Sequence, residues 1–158
     1  MEPRLVCCFT GHRSIPYKNL RKLDALLTET ICALAAGGVR VFRTGGAVGF
    51  DTLAALKVLE LRDKLGIELE LILPCRDQTR GWSSRDKKYY DYILSACDRY
   101  HYISDTYTRD CMLERDRKLV EGCVRCVAYC KKSTGGTAYT MYYALRKGVE
   151  VINLAESV

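Results

Sequence analysis

Val39-Arg-Val-Phe-Arg-Thr-Gly-Gly-Ala-Val-Gly-Phe-Asp51 decides the fold. Val39 to Arg43 reads as a short buried strand, and Thr44 to Gly49 as a glycine-rich turn. Asp51 then stands where an acidic residue caps a helix. Leu53, Ala54, Val58, Leu61 and Leu65 continue at helical spacing, and Gly66 stops the run. The same strand, turn and helix succession repeats on both sides. Upstream, Leu5 to Phe9 is an apolar strand, and a helix over about 17–36 follows with Leu20, Leu23, Leu27, Ile31 and Leu34 on one stripe. Downstream, Ile67 to Leu73 is a strand closed by Pro74, residues 75–84 are a polar loop, and 85–97 is a helix. A strand around Tyr100–Ser104, a helix over 110–121, a strand from Val124 to Cys130, a helix over 138–147 and a strand from Val149 to Leu154 complete the pattern. Six strands alternating with five helices predict an α/β fold, a mostly parallel six-stranded sheet with helices on both faces.

The chain of 158 residues has the length of one domain, expected to span 1–158. Hydrophobic residues make up 48% and charged residues 28%, spread along the whole length, which excludes a disordered chain. No apolar run approaches the roughly 18 residues of a membrane span. Met1-Glu2-Pro3-Arg4 is followed by too short an apolar run for a signal peptide, so a cytoplasmic protein is expected. Net charge is +6, which favours anionic ligands. Nine cysteines include the spacing Cys123-x-x-Cys126-x-x-x-Cys130. Residues three apart on a strand face opposite ways, so Cys123 and Cys126 are expected to diverge and no metal site is expected. The cysteines read as small buried hydrophobes in a reducing compartment.

Ligands of parallel α/β sheets bind beyond the carboxyl ends of the strands. Three strand ends here carry unusual turns: Thr10-Gly11-His12-Arg13, Thr44-Gly45-Gly46-Ala47-Val48-Gly49 and Ser133-Thr134-Gly135-Gly136-Thr137. Glycine permits close backbone approach, and the N–H groups of the next helix point at an anion. Thr44, Thr134 and Thr137 offer hydroxyls, and Arg13 and Arg43 offer guanidinium forks. The glycine turn after the second strand lacks the Lys-Ser/Thr of a P-loop, and no acidic residue ends the following strand as a dinucleotide site would require. Asp116 falls on an otherwise apolar helix stripe beside Arg115, and a carboxylate on a buried face needs a partner or a ligand. Trp82 lies in a polar loop between Arg80 and Arg85, where it could stack on a base or sugar, whereas most of the eleven tyrosines read as packing residues.

Taken in order, these motifs resemble the SLOG superfamily, whose members include the DprA (Smf) and lonely-guy families, and most of all its YpsA-like branch. The resemblance runs along nearly the whole chain. It rests on Thr-Gly-His-Arg after the first strand, Thr-Gly-Gly-Ala-x-Gly-x-Asp after the second, an Arg-Asp pair before the fifth and Thr-Gly-Gly-Thr after it. It implies a Rossmann-like fold, a bacterial or phage source and a nucleotide-derived ligand on the rim. Lonely-guy members cleave the bond between a base and ribose 5′-monophosphate, using a Pro-Gly-Gly-x-Gly-Thr-x-x-Glu loop and an upstream arginine. Here Ser133 to Met141 keeps two glycines and Thr137 but lacks the glutamate, and Arg115 matches the arginine position loosely.

The leading expectation is a module that binds a nucleotide-like small molecule and needs no other cofactor. Its ligand contacts would come from Thr10, Gly11, Arg13, Thr44, Gly45, Gly46, Ala47, Gly49, Asp51, Trp82, Arg115, Thr134, Gly135, Gly136 and Thr137. The alternative is an N-glycosidase or phosphoribohydrolase with Asp51, Arg115 and Asp116 as catalytic candidates. A second alternative is single-stranded nucleic-acid binding. A homo-oligomer is an expectation carried by the resemblance, and no membrane partner is expected.

Overall fold

Successive residues of a strand point to opposite faces, and this period of two decides which side chains face which helix layer. The computed structural model describes residues 4–158. The signal-peptide reading of Met1, Glu2 and Pro3 lies outside the described residues. Six strands form one sheet: β1 (Leu5–Gly11), β2 (Val39–Thr44), β3 (Glu68–Cys75), β4 (Arg99–Ser104), β5 (Arg125–Tyr129) and β6 (Glu150–Asn153). The sheet is parallel throughout, in the order β4-β3-β2-β1-β5-β6. Five helices connect the strands: α1 (Leu20–Ala36), α2 (Phe50–Leu65), α3 (Ser84–Ala96), α4 (Cys111–Val120) and α5 (Gly136–Arg146). The expected α/β fold with a six-stranded sheet is what the chain forms.

One face of the sheet packs Cys7, Phe9, Phe42, Leu69, Leu71 and Leu73 against Leu23, Leu27 and Ile31 of α1, Ala54 and Val58 of α2, and Ile93 of α3. The other face packs Cys8, Ile72 and Cys126 against Leu119 and Val120 of α4 and Ala144 of α5. The strand period of two places Cys7 and Cys8 in different layers. Phe9 stacks on Phe42 at 5.8 Å, and Phe50 stacks on Tyr129 at 6.0 Å, so the larger core reaches up to the floor of the rim.

Several boundaries differ from the sequence reading by one to three residues, and for two of them the strand pairing gives the reason. β1 runs on to Gly11 because its last residues pair with β5 as far as Gly11 opposite Tyr129. β3 runs through Pro74 to Cys75. β2 stops opposite Leu71, so beyond that point β3 bonds only β4, through the register positions of Leu73 and Cys75. Pro74, without an N–H, sits where no partner strand needs one.

The expected divergence of Cys123 and Cys126 does not occur. Cys123 precedes β5, in the turn after α4, so strand alternation does not apply to it. Both cysteines join the core layer under α4 and α5, against Cys8. Among the described residues, no group of three or more His, Cys, Asp or Glu side chains is arranged to hold a metal ion. None of the described helices is long and apolar enough to cross a membrane.

Candidate functional site

The sheet order reverses at β1. Its crossover leads through α1 to β2 on one side, whereas β5 pairs with it on the other. Connections leaving in opposite directions open a crevice beyond the strand ends. A cleft of about 670 Å3 lies there, within the size range of small-molecule sites. The end of β1 supplies Thr10, Gly11 and Arg13. The turn into α2 supplies Ala47 and Asp51, α4 supplies Arg115 and Asp116, and the loop into α5 supplies Thr134, Gly135, Gly136 and Thr137.

One wall is built from buried charge. Asp51, Arg115 and Asp116 are 5%, 7% and 6% exposed, so water cannot solvate them and they must satisfy one another. Arg115 Nε donates to Asp116 Oδ1 at 2.8 Å, and its Nη1 donates to the Gly45 carbonyl. Asp51 Oδ2 accepts from the Ala47 N–H at 3.2 Å, in the first turn of α2 where the helix dipole favours an anion. Burial pushes the Asp51 carboxyl up to about 6, against the opposing pull of Arg115 and the Ala47 N–H. Burial also raises Asp116, partly offset by Arg115 and the Thr140 hydroxyl. Two carboxyls around one guanidinium therefore hold protons more readily than exposed ones do.

The facing wall is cationic. α5 begins at Gly136 with Gly135 as its N-cap, and no side chain caps its first N–H groups. Those donors, with the positive end of the helix dipole, would favour an anion there. Lys131 and Lys132 follow β5 into the same cleft. His12 accepts the Lys131 backbone N–H on Nε2 at 2.8 Å, which puts its proton on Nδ1. Burial first, then Lys132 and Lys131, lower the His12 pKa and keep the ring neutral. Tyr129 lies fully buried at the floor, and its hydroxyl has no partner among the described residues.

Six of the sequence candidates lie outside the cleft lining. Gly45 sits beneath Arg115, and its carbonyl also accepts from Gln78 Nε2 at 3.2 Å. Thr44 and Gly46 border a small cavity behind Asp51, beside Tyr90. Gly49, at φ +80°, packs against the Arg13 backbone and so fixes the β1 rim to α2. Trp82 stands edge-on to Tyr90 at 5.6 Å, half-buried against the core. Arg43 leaves the rim altogether. Strand alternation turns it to the α4 face, where Nε donates to Glu70 Oε1 at 2.5 Å and Nη1 to the Glu121 carbonyl at 2.6 Å. Burial works to raise the Glu70 carboxyl, but Arg43, helped by Arg99 and His101, outweighs it and holds the group below the usual range.

Among the lining residues that the sequence reading did not name as ligand contacts are His12, Tyr129, Lys131 and Lys132. Their signal was present: all four stand at the ends of the two strands that flank the reversal. Which strands those were depended on sheet order.

The parallel sheet with its crevice at the reversal defines an α/β protein of Rossmann-like architecture. Within that class, the model of the YspA SLOG family matches residues 7–150, and the chain belongs to that family. Among solved structures, the chain is similar to DNA processing protein A (DprA) from Streptococcus pneumoniae, with a TM-score of 0.67 and 17% identity over 93% of this chain and 49% of that one. It is similar also to DNA processing protein A from Helicobacter pylori, described by its single-stranded DNA binding mode, with TM-score 0.67, 17% identity, and 94% and 64% of the two chains covered. A third is TM1055, a structural genomics target, with TM-score 0.59, 17% identity, and 93% and 72% covered. The chain spans about half the length of the first of these and under two-thirds of the second. At such identity the likeness is one of fold. No curated protein sequence gives a significant match.

Proposed function

We propose that this chain binds a nucleotide or nucleotide-derived phosphate ester in the cleft at the β1/β5 reversal. The observation that carries the reading is the opposition of charge across one cleft. The uncapped start of α5, with Lys131 and Lys132, faces the buried Asp51–Arg115–Asp116 cluster. A phosphate would sit on the Gly135–Thr137 N–H groups and the lysines, with Arg13 closing over it. The sugar hydroxyls would then reach Asp51 and Asp116. Family membership supports the reading.

A thermal-shift panel of nucleoside monophosphates, cyclic nucleotides, nucleotide sugars and ADP-ribose derivatives tests it. A ligand at 100 times its dissociation constant adds about 2.7 kcal/mol, a rise of several degrees. Lys131→Ala with Lys132→Ala should remove that rise. A folded wild type that shifts with no compound in the panel overturns the reading. A short single-stranded DNA in the same panel covers the alternative raised by the DprA likeness. Strand binding would weaken log-linearly with salt, through several released counterions.

A second reading, N-glycosidic cleavage, is favoured by one specific feature, the Asp51 carboxyl pushed up to about 6. A group titrating there exchanges a proton near neutral pH, as general acid–base catalysis requires. Asp116, oriented by Arg115, would then stabilise the oxocarbenium-like centre. Release of free base from nucleoside monophosphates, lost in Asp51→Asn and Asp116→Asn, is the expected result. Binding without base release leaves the chain a sensor or carrier.

A further inference from the structure

At the opposite end of the sheet, a second cleft of about 690 Å3 separates α4 from α5. Arg117 and Lys118 border it on α4, Tyr143 on α5 and Lys147 just after α5, and Cys123 lies on its floor. Nothing in the proposed nucleotide site uses this cleft or this thiol.

Cys123 is placed unlike the other cysteines. Gly122, at φ +77°, turns the chain out of α4 and brings Cys123 back under the helix end. Its Sγ lies 3.9 Å from Arg43 Nη1 and 3.3 Å from the Leu119 carbonyl. Cys8 from β1 lies against it and against Cys126 from β5, so three sulfurs converge beneath the cleft. The charged groups around this cluster come from several elements: Arg43 on β2, Glu70 on β3 paired to Arg43, and on the cleft rim Arg117, Lys118 and Lys147 together with Glu114 and with Glu121, which lies 3.6 Å from Lys118. Contact with Cys8 holds the Cys123 thiol down first, and the Arg43 guanidinium adds to it, against burial and Glu70. Cys8 moves the other way, raised by contact with Cys123 and Cys126 and by burial. Burial pushes Cys75 up to about 12 and raises Cys97 as well. A thiol beside a guanidinium and a second thiol donor, at the floor of an open cleft, has the setting of a nucleophile.

We propose that Cys123 is the reactive thiol of this chain, a modification site that hydroperoxides reach through the α4–α5 cleft. The Cys123 thiolate attacks the nearer peroxide oxygen. An S–O bond forms as the O–O bond breaks. The departing hydroxide or alkoxide takes a proton from solvent and leaves as water or alcohol. Sulfur is oxidised by two electrons to the sulfenic acid, and the peroxide is reduced by the same two.

The test is site-resolved mass spectrometry of the folded, full-length chain treated with hydrogen peroxide and a sulfenic-acid trap at pH 7, with parallel iodoacetamide labelling. Cys123 should be trapped first, and should alkylate at least tenfold faster than Cys97, although Cys97 is the more exposed of the two. Cys8→Ala should slow Cys123 severalfold, and Cys8→Ser, which keeps a donor, should retain most of the rate. Trapping at Cys32 or Cys97 ahead of Cys123 overturns the proposal. So does a Cys123 rate indifferent to Cys8→Ala in a variant whose circular dichroism melt matches wild type. Should neither Cys8 variant fold, the wild-type order of labelling decides alone.

Discussion

Gly49 and Gly135 look alike in the sequence, each closing a glycine-rich turn before a helix, yet they are constrained differently. Both hold a positive φ, +80° and +100°, that side chains rarely adopt. At Gly49 a Cβ would also run into the Arg13 backbone, which cannot swing aside as a side chain can. At Gly135 a Cβ would meet open space. Gly135→Ala should therefore cost only the backbone strain, about 1–3 kcal/mol, while Gly49→Ala adds a steric clash and should cost more. Urea unfolding of the two variants gives the order. Equal losses would show that the Arg13 contact does not constrain the rim. Arg43 carries the same lesson for polar residues. Its position after an apolar run suggested the rim, but alternation along β2 turned it toward Glu70.

Among the elements, α3 depends most on its start. Only Tyr90 and Ile93 of its residues are buried, so packing holds it weakly. Ser83 caps it, its Oγ accepting the Asp86 N–H at 3.1 Å. Ser83→Ala should cost about 1 kcal/mol and lower the melting midpoint by roughly 2–4 °C. A midpoint unchanged within a degree would mean that α3 is held by its contacts alone. The helices and strands were legible because their periods are local. The 3.6-residue stripe of Leu23, Leu27 and Ile31 is buried as its spacing requires. Boundaries slipped where a neighbour decided them: β1 lengthened to pair with β5, and β3 continued past Pro74 because β2 had already ended.

For the whole molecule, the buried carboxyls make stability depend on pH. The native Asp51 carboxyl titrates at about 6 and the unperturbed group at 3.8, so between these values the native state keeps a proton that the unfolded chain has lost. Stability then falls as pH rises through that window. At about 1.4 kcal/mol per pH unit the loss amounts to roughly 3 kcal/mol, and Asp116 adds to it in the same direction. Glu68 and Glu70, whose pKa values are lowered by Arg4 and Arg43 respectively among their partners, act oppositely, and only at the acid end. Asp51→Asn should flatten the decline between pH 4 and 6 and raise the melting midpoint at pH 7.5 above wild type. Parallel pH dependence of the two proteins in denaturant titrations would sink this account of the cleft.

The sequence by itself determined the alternation of elements, the glycine turns at three strand ends and the burial of Asp116. Each of these follows from residue spacing along a few turns of chain. It also carried enough of the family pattern to place the chain among SLOG proteins. Tertiary structure alone decided that β1 and β5 are neighbours, and hence that His12, Lys131 and Lys132 share a cleft with Asp51. It decided as well that Trp82 and Arg43 lie elsewhere, and that Cys8, Cys123 and Cys126 meet beneath α4. The physical reason is that strand order in a parallel sheet is set by packing between elements far apart in the chain. No local period in the residues encodes that packing.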